Sequence, residues 1–300
     1  MKAAAITTYG SLNALTILDL PVPTASPHEA LIAVVSSTIN PVDVKTRLPD
    51  TPQEVSTFPA VLGWDLAGVV VTAPPESAWR PGDRVIAMHP PQPTGHGCWQ
   101  QYVTIDPNLL AAAPTNVDLI TATTLPLAAL TADQALQRLN LRKGERLLVT
   151  GAVGSVGGMA VQLATLSGIS VTALVSRPEH QTTAISLGAT AAQSEFDSAH
   201  EFDAIFDTAG ILGQPRLLKP GGKLVTVSDD RIPNALAERA RIADHNYVHH
   251  DPQRLGELST LVTTGALRLR VAHHYPLSDI QNAHRTVEAG GLDGKVVISV

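Results

Sequence analysis

The 300-residue chain has a single cysteine, Cys98, which excludes an internal disulfide and any zinc lobe built on four cysteines. Aromatic residues make up 4% of the chain and charged residues 16%, with a net charge of −6. Without clustered Lys and Arg the chain has no means of gripping a phosphate backbone, so nucleic acid is excluded as a partner. No run of like charge forms a tail or a membrane-docking patch. Nor does any stretch reach about 18 uncharged apolar residues, the length that spans a bilayer. The opening MKAAAITTYG lacks an apolar core of signal-peptide length, and the expectation is a cytoplasmic protein.

What the chain does hold is core material: 44% hydrophobic residues, with 22 glycines and 22 prolines. Its length predicts one large or two modest domains. The first part reads as short strands, rich in Val, Ile, Thr and Ala and broken by Pro and Gly: KAAAITTYG, EALIAVVSSTI, GVVVTAPP, DRVIAMHPP and WQQYVTI. NVDLITATTLPLAALTADQALQRLN then reads as helix. From Glu145 onward strands and helices alternate, which predicts a parallel sheet covered by helices. NYVHH is a further candidate strand, and DPQRLGELSTLVTTG a helix with Asp at its cap and Pro at its first position. The last stretch returns to strand texture. It includes SDIQNAHRTVEAGG, where Ser278 and Gln281 have capping-box spacing. The expected division is residues 1–117 and 266–300 in one domain, interrupted by residues 118–265.

Within the alternating part, LLVTGAVGSVGGMAVQLATLSG places a glycine-rich turn between a strand and a helix. Ala152, Gly154 and Gly157 take the three positions of a G-x-G-x-x-G fingerprint, with alanine for the first glycine. Small residues there let the backbone turn, let a pyrophosphate approach and let the helix pack on the sheet. The helix start at Ser155 and Val156 then offers N–H groups and a partial positive charge to phosphate. A plain tight turn is the competing reading. About 20 residues later an NAD site places an acid against the ribose hydroxyls. Here Ser176 and Arg177 stand instead, a hydroxyl and a guanidinium that suit a 2′-phosphate and hence NADPH. Arg177 as a solvated surface residue is the alternative.

These segments, together with INPVDVKTR, FPAVLGWDLAGVV, WRPGDRVIAM, GCWQQYVTI, FDAIFDTAG, LLKPGGKLV and GKVVISV, resemble the medium-chain dehydrogenase/reductase superfamily. The resemblance is to its zinc-independent quinone oxidoreductases and alkenal or enone reductases, in their order and over nearly the whole chain. It implies an α/β fold: a GroES-like β-barrel domain plus a doubly wound parallel-sheet (Rossmann) nucleotide-binding domain, with substrate held between the two. It also implies a homodimer. One departure is the short ILGQPRLL between DTAG and KPGG, where relatives have a longer helix.

The zinc alcohol dehydrogenases of that superfamily use a Cys and a His where this chain has Asn40 and Trp64. Neither is a zinc ligand of note, so no metal is expected. His89, His96 and Cys98 are close in sequence, but their Pro-rich segment lacks regular ligand geometry. Without a metal, the chemistry is hydride transfer from the nicotinamide to a quinone or an α,β-unsaturated carbonyl. Asn40 is then a candidate amide donor to the developing oxyanion, or else a support for the Pro41 turn. Lys45 assists a carbonyl oxygen or faces solvent. Trp64 stacks on a flat acceptor or packs in the core. Asp43 suits a helix cap, and Asp133 stands where relatives have an aromatic residue. Thr208 and Ala209 match the family's ribose-contact zone, and Lys295 its barrel-side reach to the cofactor. The alternative in another class is an NADPH-binding sensor or structural protein of the same fold.

Overall fold

The computed structural model describes residues 1–48, 55–196, 201–212 and 215–300. Two compact units form: Met1–Leu127, His250–Gly265 and Leu269–Val300 make the first, and Ala128–His249 with Ala266–Arg268 the second.

In the first unit, β1 (Lys2–Ile6) lies between β2 (Leu15–Asp19) and β4 (Ala60–Val61). A second, seven-stranded sheet is built around β3 (Ala30–Ile39). It adds β5 (Asp65–Thr72), β6 (Arg84–Met88), β7 (Tyr102–Ile105), β8 (Ala111–Ala112), β15 (Val271–Pro276) and β16 (Lys295–Ser299). β3 alternates buried and half-buried residues at its start and is buried on both faces at its end. The fully buried end, Ser36–Ile39, is where β16 pairs with it and where the Ser36 hydroxyl donates to the Leu119 carbonyl at 2.8 Å. Helices α1 (Pro41–Arg47) and α2 (Leu119–Ala122) follow β3 and β8. The stretch read as one helix is split, α3 (Pro126–Leu139) starting afresh at its proline.

The second unit is a six-stranded parallel sheet. It contains β9 (Arg146–Thr150), α4 (Ser155–Leu166), β10 (Ser170–Leu174), α5 (Gln181–Ser186) and β11 (Ala191–Gln193). β12 (Phe202–Asp207), β13 (Leu218–Thr226), α6 (Asn234–Arg239) and β14 (Ala240–His245) complete it. The spatial order β11-β10-β9-β12-β13-β14 is the doubly wound order 3-2-1-4-5-6, whose topological switch lies between β9 and β12. Among the described residues no α-helix lies between β12 and β13. Gly213 and Gln214 of the short segment lie outside the described residues.

Sequence expectations shift at several points. NYVHH is not a strand; β14 forms one step earlier, directly after α6. α7 (Pro252–Thr263) is capped by Asp251, which accepts from the Arg254 N–H at 2.8 Å. It belongs to the first unit, so the chain returns at His250 rather than at 266. The physical reason is its packing: Ser259 donates to the Ala112 carbonyl at 2.7 Å, and Asn116 donates to that of Val262 at 2.8 Å. Helix α8 (Ile280–Ala289) has Asp279, not Ser278, at its cap. The capping box is absent because the Gln281 amide donates instead to the Leu15 carbonyl at 2.9 Å.

α8 also buries His284, edge-on to Trp99 with ring centroids 5.0 Å apart. Neither ring nitrogen has a hydrogen-bond partner among the described residues. Burial, and then the Arg47 charge, push its pKa from 6.5 down to about 3. Burial likewise takes His89 down to about 4. Between pH 6.5 and these values the unfolded chain binds protons that the folded chain refuses. Stability is therefore full above pH 6.5 and falls with acid. Asp43, raised to about 7 by burial, acts oppositely, its contribution present at low pH and lost as pH rises through 7. Two histidines outweigh one aspartate, so the net effect is loss toward acid. His284→Leu should remove about 2 kcal/mol of the loss between pH 7.5 and pH 5, read by urea unfolding at both pH values. An unchanged pH dependence would refute the assignment.

Candidate active site

In the second unit, β9 ends at Thr150 and the chain turns at Gly151, whose φ is +58°. This corrects the expected register, because the tight turn is made one residue before Ala152. Ala152 is buried and donates its N–H to the Leu174 carbonyl at 3.2 Å, so it packs the turn against β10. Gly154 caps α4, whose first residues Ser155 and Val156 are half-buried. A Cβ on Gly157 would penetrate the Gly151 carbonyl oxygen and sit 2.8 Å from its carbon. The helix start is thus laid directly on the turn, and only glycine permits it. A Cβ on Gly154 would approach only the Gly151 oxygen, at 3.2 Å. A narrow backbone cradle capped by the start of a 12-residue helix fits a dinucleotide pyrophosphate.

Beyond β10, Val175 is buried while Ser176 and Arg177 are exposed, so their polar groups are available to a ligand. Past β12, Thr208 donates its hydroxyl to the Thr150 carbonyl at 2.7 Å, and Ala209 follows it half-buried. Thr208 therefore abuts the glycine turn: a Cβ on Gly151 would come 2.7 Å from its hydroxyl oxygen. Asp133 is buried in α3 and accepts from the Gln137 amide at 2.6 Å.

In the first unit the expected site residues are drawn into a polar cluster. Strand pairing sets Val296 opposite Ile39, which brings Lys295 beside Asn40. The Lys295 ammonium donates to the Asn40 carbonyl oxygen and lies 3.3 Å from the Asp65 carboxylate. The Asn40 amide nitrogen lies 3.2 Å from Thr38 Oγ1, 3.2 Å from Asp43 and 3.0 Å from Asp65. Asp43 also accepts the N–H groups of Asn40 at 2.8 Å and Gly63 at 3.0 Å, closing the first turn of α1. Asp65 accepts further from the Thr38 hydroxyl and from the Leu127 N–H, the latter at 2.7 Å.

Two of the expected site residues are engaged within this cluster. Asn40 is 1% exposed and its amide nitrogen lies within reach of Thr38, Asp43 and Asp65. Lys295, 3% exposed, contacts Asn40 and Asp65. Lys45 and Trp64 are both half-buried. A zinc ion does not fit this donor set: an ammonium already contacts the Asn40 oxygen, and Trp64 offers no lone pair. His89 donates through Nε2 to the His96 carbonyl at 3.0 Å. Cys98 is buried, with burial pushing its thiol pKa up. Among the described residues, no group of three or more His, Cys, Asp or Glu is placed to hold a metal. The residues missed from sequence, Thr38, Asp65, Thr150, Asp207 and Thr226, do leave a faint signal in the acids embedded in the apolar strands DLAGVVV and FDAIFD.

Comparison with known proteins agrees with this architecture. Residues 26–115 match the alcohol dehydrogenase GroES-like domain family, and residues 182–298 match the zinc-binding dehydrogenase family. The chain is 30% identical over 313 residues to the chloroplastic NADPH-dependent alkenal/one oxidoreductase of Arabidopsis thaliana, covering 99% of this chain and 79% of that protein. It is also 30% identical over 314 residues to 2-methylene-furan-3-one reductase of Solanum lycopersicum, with the same coverage. The quinone oxidoreductase structure from Coxiella burnetii superposes with a TM-score of 0.90 at 26% identity, over 100% of this chain and 99% of that one. With its doubly wound sheet, its glycine cradle and these relatives, the chain belongs to the medium-chain dehydrogenase/reductase superfamily, in the branch of the quinone and alkenal reductases.

Proposed function

We propose that this oxidoreductase reduces quinones or α,β-unsaturated carbonyls with NADPH and without a catalytic zinc. One observation carries the cofactor reading: a cradle that only glycine allows stands beside a strand followed by exposed Ser176 and Arg177, where an NAD site has an acid. The α4 N-terminus binds the pyrophosphate, and Arg177 with Ser176 takes the 2′-phosphate. Bound there, the cofactor supplies the hydride. Lys45 and Trp64 face the acceptor, Trp64 as an apolar wall for a flat ring. The engagement of Asn40 and Asp65 in the buried cluster supports an acceptor that takes hydride without Lewis-acid activation. Protonation of the resulting enolate or hydroquinone anion comes from water. The relatives named above are oxidoreductases, which favours an enzyme over a cofactor-binding sensor. The reading includes a homodimer in solution, which light scattering would test.

The test follows NADPH and NADH absorbance against quinones, enals, and simple alcohols and ketones, with and without chelator. Turnover of a quinone or enal with NADPH, indifferent to chelator, is expected. Alcohol oxidation abolished by chelator would overturn the reading. Arg177→Ala should lower kcat/KM for NADPH by roughly ten- to a hundredfold, the equivalent of one charge-assisted hydrogen bond, and leave NADH nearly unchanged. Equal losses with both cofactors would remove Arg177 from the site.

A further inference from the structure

We propose that Asp207 is a positioning residue for the dinucleotide, a buried carboxylate that staples three strand ends together at the floor of its site. This rests on reading the glycine turn as a dinucleotide site. Asp207 is fully buried at the C-terminal end of β12, yet no Lys, Arg or His hydrogen-bonds to it among the described residues. Its Oδ1 accepts from the Thr150 hydroxyl at 2.6 Å, reaching across to the end of β9. Its Oδ2 accepts from the Thr226 hydroxyl at 2.9 Å, reaching the end of β13. The Ala209 and Ile211 N–H groups point to Oδ1 as well, each at 3.4 Å.

The direction of these bonds is forced. A carboxylate only accepts, so the Thr150 hydroxyl must donate to it, which leaves the Thr150 oxygen free to accept. It accepts from the Thr208 N–H at 3.0 Å, and the Thr208 hydroxyl returns a bond to the Thr150 carbonyl at 2.7 Å. The result is a closed ring of bonds between β9 and β12, one residue before Gly151. Those two strands flank the topological switch of the sheet. The end of β9 is held by α4, which starts on the turn, but among the described residues no α-helix follows β12 before β13. Asp207 supplies that hold for β12, and polarising each bond by the next strengthens it.

NADPH fluorescence titration of the whole protein tests this, alongside kinetics and thermal unfolding. Asp207→Ala and Thr150→Val should raise the Kd for NADPH about tenfold, the affinity equivalent of one buried hydrogen bond. KM for NADPH should rise with Kd, while kcat at saturating NADPH stays within about twofold. Asp207→Asn should recover most of the affinity, because its carbonyl oxygen still accepts from Thr150 and its amide meets a Thr226 hydroxyl able to turn. Phe202→Leu, at the opposite end of β12, should lower Tm without moving Kd. If Asp207→Ala fails to fold, Thr150→Val, a hydroxyl-for-methyl exchange, carries the test. Wild-type Kd in the soluble Asp207 and Thr150 variants would overturn the proposal, and so would an equal shift in Phe202→Leu. Failure of the wild type itself to bind NADPH would refute the dinucleotide reading, and this inference with it.

Discussion

Gly157→Ala is expected to lower NADPH affinity at least a hundredfold and to destabilise the second unit. The new Cβ would overlap the Gly151 carbonyl oxygen and lie 2.8 Å from its carbon and 3.0 Å from the Ala152 Cα. All three are backbone atoms, so no side chain can swing aside. Helix α4 must lift from the turn instead. Overpacking of this kind costs about 1–3 kcal/mol. A displacement of the helix start by about 1 Å takes its N–H groups out of hydrogen-bonding reach of the pyrophosphate, and the loss of two such bonds costs about a hundredfold. Gly154→Ala is the comparison, since its Cβ meets only one oxygen, at 3.2 Å, and a small relaxation admits it. Titration with NADPH and thermal unfolding of both variants would decide the matter. Binding by Gly157→Ala within threefold of wild type would show that the cradle does not hold the cofactor.

The second large effect concerns the barrel-side cluster. Lys295→Met should cost about 3–5 kcal/mol, the usual consequence of removing one member of a buried ion pair. Lys295 is 3% exposed and Asp65 0%, so water does not reach in to replace the lost ammonium. Asp43, raised to about 7 by burial first and by the neighbouring Asp65 as well, sets the pH dependence. A carboxyl with a raised folded pKa contributes stability at low pH and loses it as pH rises through that value. Without Lys295 the two carboxylates repel unopposed, so the deficit should be larger at pH 7.5 than at pH 5. Urea unfolding at the two pH values measures it. A deficit below about 1 kcal/mol at pH 7.5 would mean that the ammonium is dispensable and the hydrogen bonds alone hold the cluster.

Much of the fold could be read from short-range pattern. The alternation after Glu145 foretold a parallel sheet, and LLVTGAVGSVGG foretold a strand, turn and helix in the order observed. The Asp-Pro start of α7 was equally legible, because a cap acts over three residues, from Asp251 to the Arg254 N–H. The Ser278 and Gln281 spacing misled for an instructive reason. The Gln281 amide found the Leu15 carbonyl, 266 residues away in sequence, and a tertiary partner displaced the local one.

For the site, the distinction is sharper. Sequence alone determined the residue types on which the proposed NADPH and zinc-free reading rests: small residues at the turn, Ser176 and Arg177 after β10, and no Cys or His at positions 40 and 64. Those follow from steric size, charge and lone-pair chemistry, which a residue carries wherever it stands. Only the tertiary structure decided what the polar side chains face. Asn40 joined the buried cluster because Lys295, 255 positions away, met it across the β3–β16 pairing. Asp207 became a staple because parallel pairing put Thr150, 57 residues earlier, at its side. A hydrogen bond is set by distance and direction between atoms, and for residues this far apart in the chain only the folded sheets supply both.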